Sequence, residues 1–218
     1  LGMIKGVDRP AIAVLLPNAL GSITIFLDVG ANVNTKPLHL FQSALMGTLY
    51  GKIVFDMKNP RVGLLNIGSE STKGDELRRE AYKKIEESRD INFIGNIEGQ
   101  ELFTGKADIV ITDGFTGNVV LKVSEGITRS FKTILIKELR SSLSGKIGIL
   151  LIKNNLRKFA KKADYAEYGG GILLGVNGNV IISHGRSSPR ALYNAIKLGE
   201  KIVKSKFLEK LKNFMEGN

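Results

Sequence analysis

The chemistry-bearing residues of this chain cluster where apolar runs give way to glycine-containing turns. Residues 107–112, Ala-Asp-Ile-Val-Ile-Thr, form one such run, and Asp113-Gly114-Phe115-Thr116-Gly117-Asn118 follows it with an acid, a hydroxyl and an amide. A long helical pattern then starts at Val119. In an α/β sheet such a junction brings unpaired N–H groups and the positive end of a helix together, which favours an anion or a developing oxyanion. Asn118 adds two amide donors for such an oxygen. Asp113 and Thr116 also have a plainer use, as helix caps.

Two further junctions are built alike. Gly63-Leu64-Leu65-Asn66-Ile67-Gly68-Ser69-Glu70-Ser71-Thr72-Lys73-Gly74 runs from a buried strand into a loop with hydroxyls and a cation. Backbone N–H groups near Gly68 and Ser69 suit an anion nest, and Lys73 suits a phosphate or an oxyanion. The plainer alternative is capping by Ser71 or Thr72 with Lys73 in solvent. Leu27-Asp28-Val29-Gly30-Ala31-Asn32-Val33-Asn34-Thr35-Lys36-Pro37 carries an acid at the strand exit and a cation before the next helix. Lys36 could pair with a phosphate, and Asp28 could equally cap backbone groups. No Gly-x-x-x-x-Gly-Lys-Ser/Thr sequence is present, so a Walker loop is excluded. A fourth region holds Tyr168-Gly169-Gly170-Gly171 and Ser183-His184-Gly185-Arg186. His184, at a strand end, is a candidate base or phosphate ligand, though a lone histidine is more often structural. His39 reads as a packing residue.

The elements that must position these groups alternate along the chain. Residues 11–16, 24–29, 61–67, 91–94 and 108–112 read as strands. Pro37 opens a helix with Leu38, Phe41, Leu45 and Leu49 at helical spacing, since proline suits the first turn. Residues 75–88 form a charged amphipathic helix with Leu77, Ala81 and Ile85 inward, and 119–139 and 189–204 are further helices. Residues 172–176 and 180–183 flank Asn177-Gly178, a hairpin turn. The pattern predicts an α/β layered fold with a largely parallel sheet and at least one antiparallel pair. Parallel strands share one carboxyl edge, where the junction loops are expected to converge.

Composition narrows the classes. The 218 residues are 43% hydrophobic and carry no apolar run long enough to span a bilayer. There is no cysteine, which excludes disulfides, cysteine-ligated zinc and a thiol nucleophile and fits a cytoplasmic location. Leu1-Gly2-Met3-Ile4-Lys5 has no signal-peptide pattern, and the absence of an initial methionine suggests a truncated chain. The net charge is +11 and its placement is uneven. Arg129, Lys132, Lys137, Arg140, Lys146, Lys153, Arg157, Lys158, Lys161 and Lys162 are offset between 129 and 162 by Glu138 alone. On a helical projection Ile149, Ile152, Leu156, Phe159 and Ala163 share one arc and cations fill the rest, a pattern suited to an anionic membrane surface, an acidic protein or a helix-on-domain contact. Phe131 and Phe159 are the aromatics of this stretch and no nucleic-acid motif accompanies it, so nucleic acid is not the expected partner.

Taken together, Leu27-Asp28-Val29-Gly30-Ala31-Asn32, Val62-Gly63-Leu64-Leu65-Asn66-Ile67-Gly68-Ser69-Glu70, Thr112-Asp113-Gly114-Phe115-Thr116-Gly117-Asn118, Glu167-Tyr168-Gly169-Gly170 and Ser183-His184-Gly185 closely resemble the PlsX family, the phosphate acyltransferases of bacterial phospholipid synthesis. The motifs run in family order from about residue 1 to about 204, and the one starting at Thr112 is also similar to a loop of phosphotransacetylases. The resemblance implies a three-layer α/β/α fold of the isocitrate/isopropylmalate dehydrogenase type. It implies transfer of an acyl group from acyl carrier protein to inorganic phosphate, without metal or cofactor, by a cytoplasmic homodimer at the membrane periphery. Carried over by position, Lys73 and Asn118 are the expected catalytic residues. Asp28, Asn32, Lys36, Ser69, Glu70, Asp113, Thr116, Gly117 and His184 are expected around the phosphate and acyl groups, with Arg186 adding a cation. Ile149, Ile152, Lys153, Leu156, Arg157 and Phe159 are expected to meet a membrane or partner.

Residues 1–218 are thus expected to form a single α/β catalytic region with a basic helical insertion at about 127–164. Family members carry a further N-terminal portion with a strand, an Asp and a Gly-rich turn, so part of the cleft is expected to lie outside these residues. Two alternatives stay open. One is a phosphotransacylase that uses coenzyme A; the other is a non-catalytic module that binds a membrane or a partner.

Overall fold

The computed structural model describes residues 1–163, 169–183 and 187–217, with the side chains of 158–163 left aside. Seven strands form one sheet: β1 (Ala11–Pro17), β2 (Ile23–Leu27), β3 (Arg61–Asn66), β4 (Asn92–Glu98), β5 (Ile109–Ile111), β6 (Gly171–Leu174) and β7 (Ile181–Ile182), in the order β4-β3-β5-β2-β1-β6-β7. β4, β3, β5 and β2 are mutually parallel neighbours, β1 runs against β2 and β6, and β7 runs against β6. Most strands therefore point one way, and β1 and β7 supply the expected antiparallel pairing. β6 and β7 do pair antiparallel, with Ile172 opposite Ile181, but six residues join them instead of a two-residue turn, because Val176 pairs with Met3 and the Asn177 N–H donates to the Gly2 carbonyl.

The pleat sorts side chains onto two faces. Ala11, Ala13, Leu15, Ile25, Leu27, Val62, Leu64, Ile109 and Ile111 face the larger core with helices α1 (Pro37–Phe55), α2 (Glu76–Glu86), α5 (Pro189–Lys204) and α6 (Phe207–Gly217). Val14, Leu16, Phe26, Leu65, Ile97 and Val110 face the other side, against Leu102, Ala107, Val120 and Leu121. Helices thus cover both faces, giving an α/β/α arrangement. α1 is apolar almost all round and is correspondingly buried, as a central crossover helix should be. Its His39 does more than pack: Nδ1 accepts the Lys36 N–H at 3.0 Å, which leaves Nε2 to donate to Asp8 at 2.7 Å.

α3 and β4 depart further from expectation. α3 (Gly114–Arg140) starts five residues before Val119, because Asp113 caps it by accepting the Thr116 N–H at 2.8 Å. β4 is longer than 91–94 because a bulge at its pairing with β3, beside Gly95 at φ 88°, breaks the alternation without ending the strand.

The basic segment becomes the distal part of α3 and α4 (Leu143–Ala163). α3 packs on the body through Gly117, Val120 and Leu121, and beyond them no described residue of either helix is buried. Ile149 and Leu156 are half-buried, and Ile152, Lys153 and Arg157 are exposed. Among the described residues no helix is long and apolar enough to cross a membrane.

Candidate functional site

The parallel register fixes where the site lies. Leu27 and Leu64 both pair with Ile111, so β2, β3 and β5 end together at one edge. β5 lies between the other two, which puts the start of α3 between the β2–α1 loop and the β3–α2 loop. The three junctions singled out by sequence therefore meet, as open α/β topology requires.

The β2–α1 loop is organised by Asp28. This buried carboxylate accepts five hydrogen bonds: Oδ1 from the N–H groups of Ile12, Gly30 and Ala31, and Oδ2 from the N–H and side-chain amide of Asn32, all at 2.9–3.1 Å. Asn32 Nδ2 also donates to the Pro10 carbonyl. The oxygens of Asp28 and the amide donors of Asn32 are thus occupied inside the loop, which fits the backbone-capping alternative given for Asp28. Lys36 is exposed at the start of α1.

The α3 N-terminus is pressed against that loop. The Gly114 N–H donates to the Asn32 carbonyl at 3.0 Å. A methyl at Gly117 would overlap the Asp28 carbonyl oxygen and come within 2.9 Å of Thr112 Cγ2, so Gly117 serves close packing at this point. Asn118, one residue on, lies over Gly30, whose added Cβ would sit 3.5 Å from the Asn118 amide nitrogen.

On the other flank, Ser69, Glu70 and Lys73 are exposed on the β3–α2 loop. Lys73 Nζ is 4.0 Å from Glu70 Oε1, and its stem lies over Gly68. Asn66 Nδ2 donates to the Lys73 carbonyl at 3.0 Å, and Asn96 Nδ2 to the Glu70 carbonyl at 2.7 Å, so two buried amides fix the loop's course. Asn96 Oδ1 and Thr112 Oγ1 are buried without a partner.

Arg78 joins the two flanks, and sequence reasoning missed it. Its Nη2 donates to Asp113 Oδ2 and to Thr116 Oγ1 at 3.1 Å, its Nη1 to Asp75 Oδ2 at 2.7 Å, and its Nε to the Leu65 carbonyl at 3.3 Å. Burial pushes the Asp113 pKa up, but the Thr116 hydrogen bonds and the Arg78 guanidinium outweigh it and hold the carboxyl below its ordinary 3.8. The signal for Arg78 was its place in the first turn of α2, where the helix dipole disfavours a cation unless carboxylates meet it.

A cavity of about 430 Å³ opens here, lined by Val33, Asn34, Thr35, Asp75, Leu77, Arg78, Asp113, Phe115 and Thr116. Of the expected site residues, Asp113 and Thr116 line it; Lys73, two residues before Asp75 on the β3–α2 loop, and Asn118, one turn along α3 from Phe115, do not. His184 and Arg186 lie outside the described residues, as do Glu167, Tyr168 and the side chain of Phe159. No group of three or more potential metal ligands occurs among the described residues.

Comparison with known proteins gives this geometry a family. A family model described as "Fatty acid synthesis protein" matches residues 1–210. A phosphate acyltransferase of Thermodesulfovibrio yellowstonii is 48% identical over 211 residues, covering 97% of this chain and 61% of that protein. One from Dictyoglomus thermophilum is 46% identical over 217 residues, covering 100% and 64%. The chain thus spans somewhat under two thirds of the length of these relatives. Among solved structures, a phosphotransacetylase from Streptococcus pyogenes superposes with a TM-score of 0.57 at 16% identity, covering 92% of this chain and 56% of that one. A branched-chain phosphotransacylase from Enterococcus faecalis gives 0.57 at 12%, covering 92% and 67%. At such identities these structures establish the fold alone. The family match and the curated relatives go further, and by them this chain belongs to the fatty acid synthesis protein family, the PlsX phosphate acyltransferases.

Proposed function

We propose that the protein moves an acyl group from the thioester of acyl carrier protein to inorganic phosphate, giving an acyl phosphate for phospholipid synthesis. The observation that carries this reading is the meeting of three strand exits around the start of α3, in a chain whose relatives are named phosphate acyltransferases. A phosphate oxygen attacks the thioester carbonyl, an oxyanion forms, and the thiolate leaves as the carbon–sulfur bond breaks. Phosphate is partly dianionic near neutral pH, so a strong general base is not required. Lys73 holds the phosphate by charge from the β3–α2 loop. Asn118, in the first turns of α3, donates to the oxyanion, where preorganised donors act most strongly. Asp113 and Thr116 keep the helix start in place. Asp28 and Asn32 shape the loop beneath Asn118, and Ser69, Glu70 and Lys36 border the phosphate approach.

The exposed helical hairpin supports a peripheral role. Leu143, Ile147, Leu150 and Leu151 of α4 are all more than half exposed beside Lys146, Lys153 and Arg157. Such a surface suits an anionic membrane, with each cation contributing on the order of 1 kcal/mol, or an acidic carrier protein. A homodimer is the assembly proposed. The likeness of the fold to phosphotransacetylases favours one second reading, a coenzyme A thioester as donor.

The test supplies the complete polypeptide with acyl carrier thioester, acyl coenzyme A and phosphate, and follows acyl phosphate. Removing one oxyanion donor costs on the order of 10²-fold or more in kcat, so Asn118→Ala should lose at least that. Lys73→Ala should raise the KM for phosphate. Full rates in both variants would refute the assignment, and a preference for acyl coenzyme A would select the second reading.

A further inference from the structure

The cavity beside Arg78 has an electrostatic character that does not suit phosphate. Among the described residues its charged lining consists of Asp75, Asp113 and Arg78, which leaves one net negative charge. The single cation is already spent: three of its nitrogens donate to Asp75, Asp113, Thr116 and the Leu65 carbonyl. A phosphate placed here would face two carboxylates with no free cation among the described lining residues. Lys73 and Lys36 do not line the cavity.

The remaining lining is neutral and of two kinds. Val33, Leu77 and Phe115 give apolar contact surface, with Val33 66% and Phe115 61% exposed. Thr35 donates its hydroxyl proton to the Asn32 carbonyl at 3.2 Å, so its oxygen is left to accept. Asn34, also exposed, offers an amide donor and an amide acceptor. An open groove of this size, in which hydrogen-bonding groups predominate and a few apolar side chains intervene, suits an uncharged, amide-bearing chain. Phe115 and Asn118 are three residues apart on α3 and so are neighbours on its surface. A chain held against Phe115 would end beside the Asn118 amide.

We propose that this cavity binds the neutral pantetheine-type arm of the acyl donor and delivers its thioester carbonyl to Asn118, while phosphate is held outside the cavity. This rests on the acyltransfer reading above. The arm is common to carrier-protein and coenzyme A donors, so the proposal does not depend on which of them is used.

The experiment compares the wild-type complete polypeptide with Phe115→Ala and with Val33→Ala/Phe115→Ala. Both side chains are largely exposed, so melting temperatures should be retained. KM and kcat are measured for acyl-pantetheine, acyl coenzyme A, acyl carrier protein and phosphate. Loss of wall contacts should raise the KM for all three donors about tenfold and in the same proportion, with the phosphate KM within about twofold and Phe115→Leu largely restoring donor KM. A rise in phosphate KM instead, a change confined to acyl carrier protein, or unchanged donor KM values would each overturn the proposal. Should wild-type protein form no acyl phosphate from any donor, the acyltransfer reading fails and the cavity is judged by binding alone. A thioether analogue of acyl-pantetheine should then bind wild type and bind Phe115→Ala about tenfold more weakly; equal binding, or none to wild type, would overturn the proposal.

Discussion

Two glycines in α3 offer a paired test of how the site is assembled. Gly126 is exposed, with nothing within 4 Å of an added Cβ, whereas a methyl at Gly117 would overlap the Asp28 carbonyl oxygen. In open helix, Gly→Ala stabilises by about 1 kcal/mol. In a chain of this size that raises the melting temperature by about 2–4 °C. Gly117→Ala carries the same gain but must also relieve the overlap. The obstacle is backbone, and it is anchored: the Asp28 N–H donates to the Thr112 carbonyl at 3.0 Å and the Asp28 side chain is held by five donors. Overpacking of this kind costs about 1–3 kcal/mol, so the net effect should run from about zero to a loss of about 2 kcal/mol once the helical gain of about 1 kcal/mol is subtracted, always below Gly126→Ala. Because Asn118 follows directly, the first turn of α3 must move with it. A displacement of about 1 Å in a catalytic group costs on the order of 10²-fold in rate. Thermal unfolding and acyl phosphate formation, run side by side, give both numbers. If Gly117→Ala melted as high as Gly126→Ala and kept full kcat, the close seating of α3 on the β2–α1 loop would be refuted.

Other outcomes follow from the same contacts. Arg78→Met and Asp113→Asn, combined in a double-mutant cycle by denaturant unfolding, should show a coupling of about 1–2 kcal/mol, since both side chains are mostly buried and share hydrogen bonds. Additive effects would mean the pair does not hold the loops together. The folded-state pKa of Asp113 is depressed, so its contribution should be fully present above the ordinary value of 3.8 and be lost as pH falls through the lower folded value; Asp113→Asn should flatten that acid limb and leave the pH 5–7 range unaltered in slope. Asp28→Asn should destabilise by about 2–3 kcal/mol, because an amide cannot accept at both positions from N–H groups now placed around two oxygens. Glu at Leu150 and Leu151, both largely exposed, should abolish sedimentation with anionic vesicles while leaving the melting temperature unchanged; unaltered sedimentation would remove α4 from membrane contact.

The legible parts of the fold were those with a local cause. Pro37 marked the start of α1, the apolar run from Arg61 marked β3, and Asn177-Gly178 marked the β6–β7 connection. The sheet order was not legible, because β1 sits between β2 and β6 through pairings such as Ala11 with Leu174 that no local pattern encodes. α6 escaped notice since its stripe of Phe207, Leu211 and Met215 is short and surrounded by lysines. In the candidate site, the meeting of the three junctions was legible from the strand pattern, but the backbone hydrogen bonds that engage Asp28 were not. Asp28 and Gly117 show why: an acid and a glycine at a strand exit have the same appearance whether they face a substrate or the neighbouring loop. Arg78 was hidden because a charged residue on an amphipathic helix reads as solvated, and its partners lie 35 and 38 residues away.

α3 runs unbroken from Gly114 in the cleft to Arg140 at the basic extremity, about 40 Å at 1.5 Å per residue. A rod of that kind transmits orientation. If the cationic tip docks as proposed, the bearing of the cleft on that surface would be set by α3, and a tilt at one end would be carried toward Asn118. On that reading, reaction geometry and docking posture would be linked through a single helix.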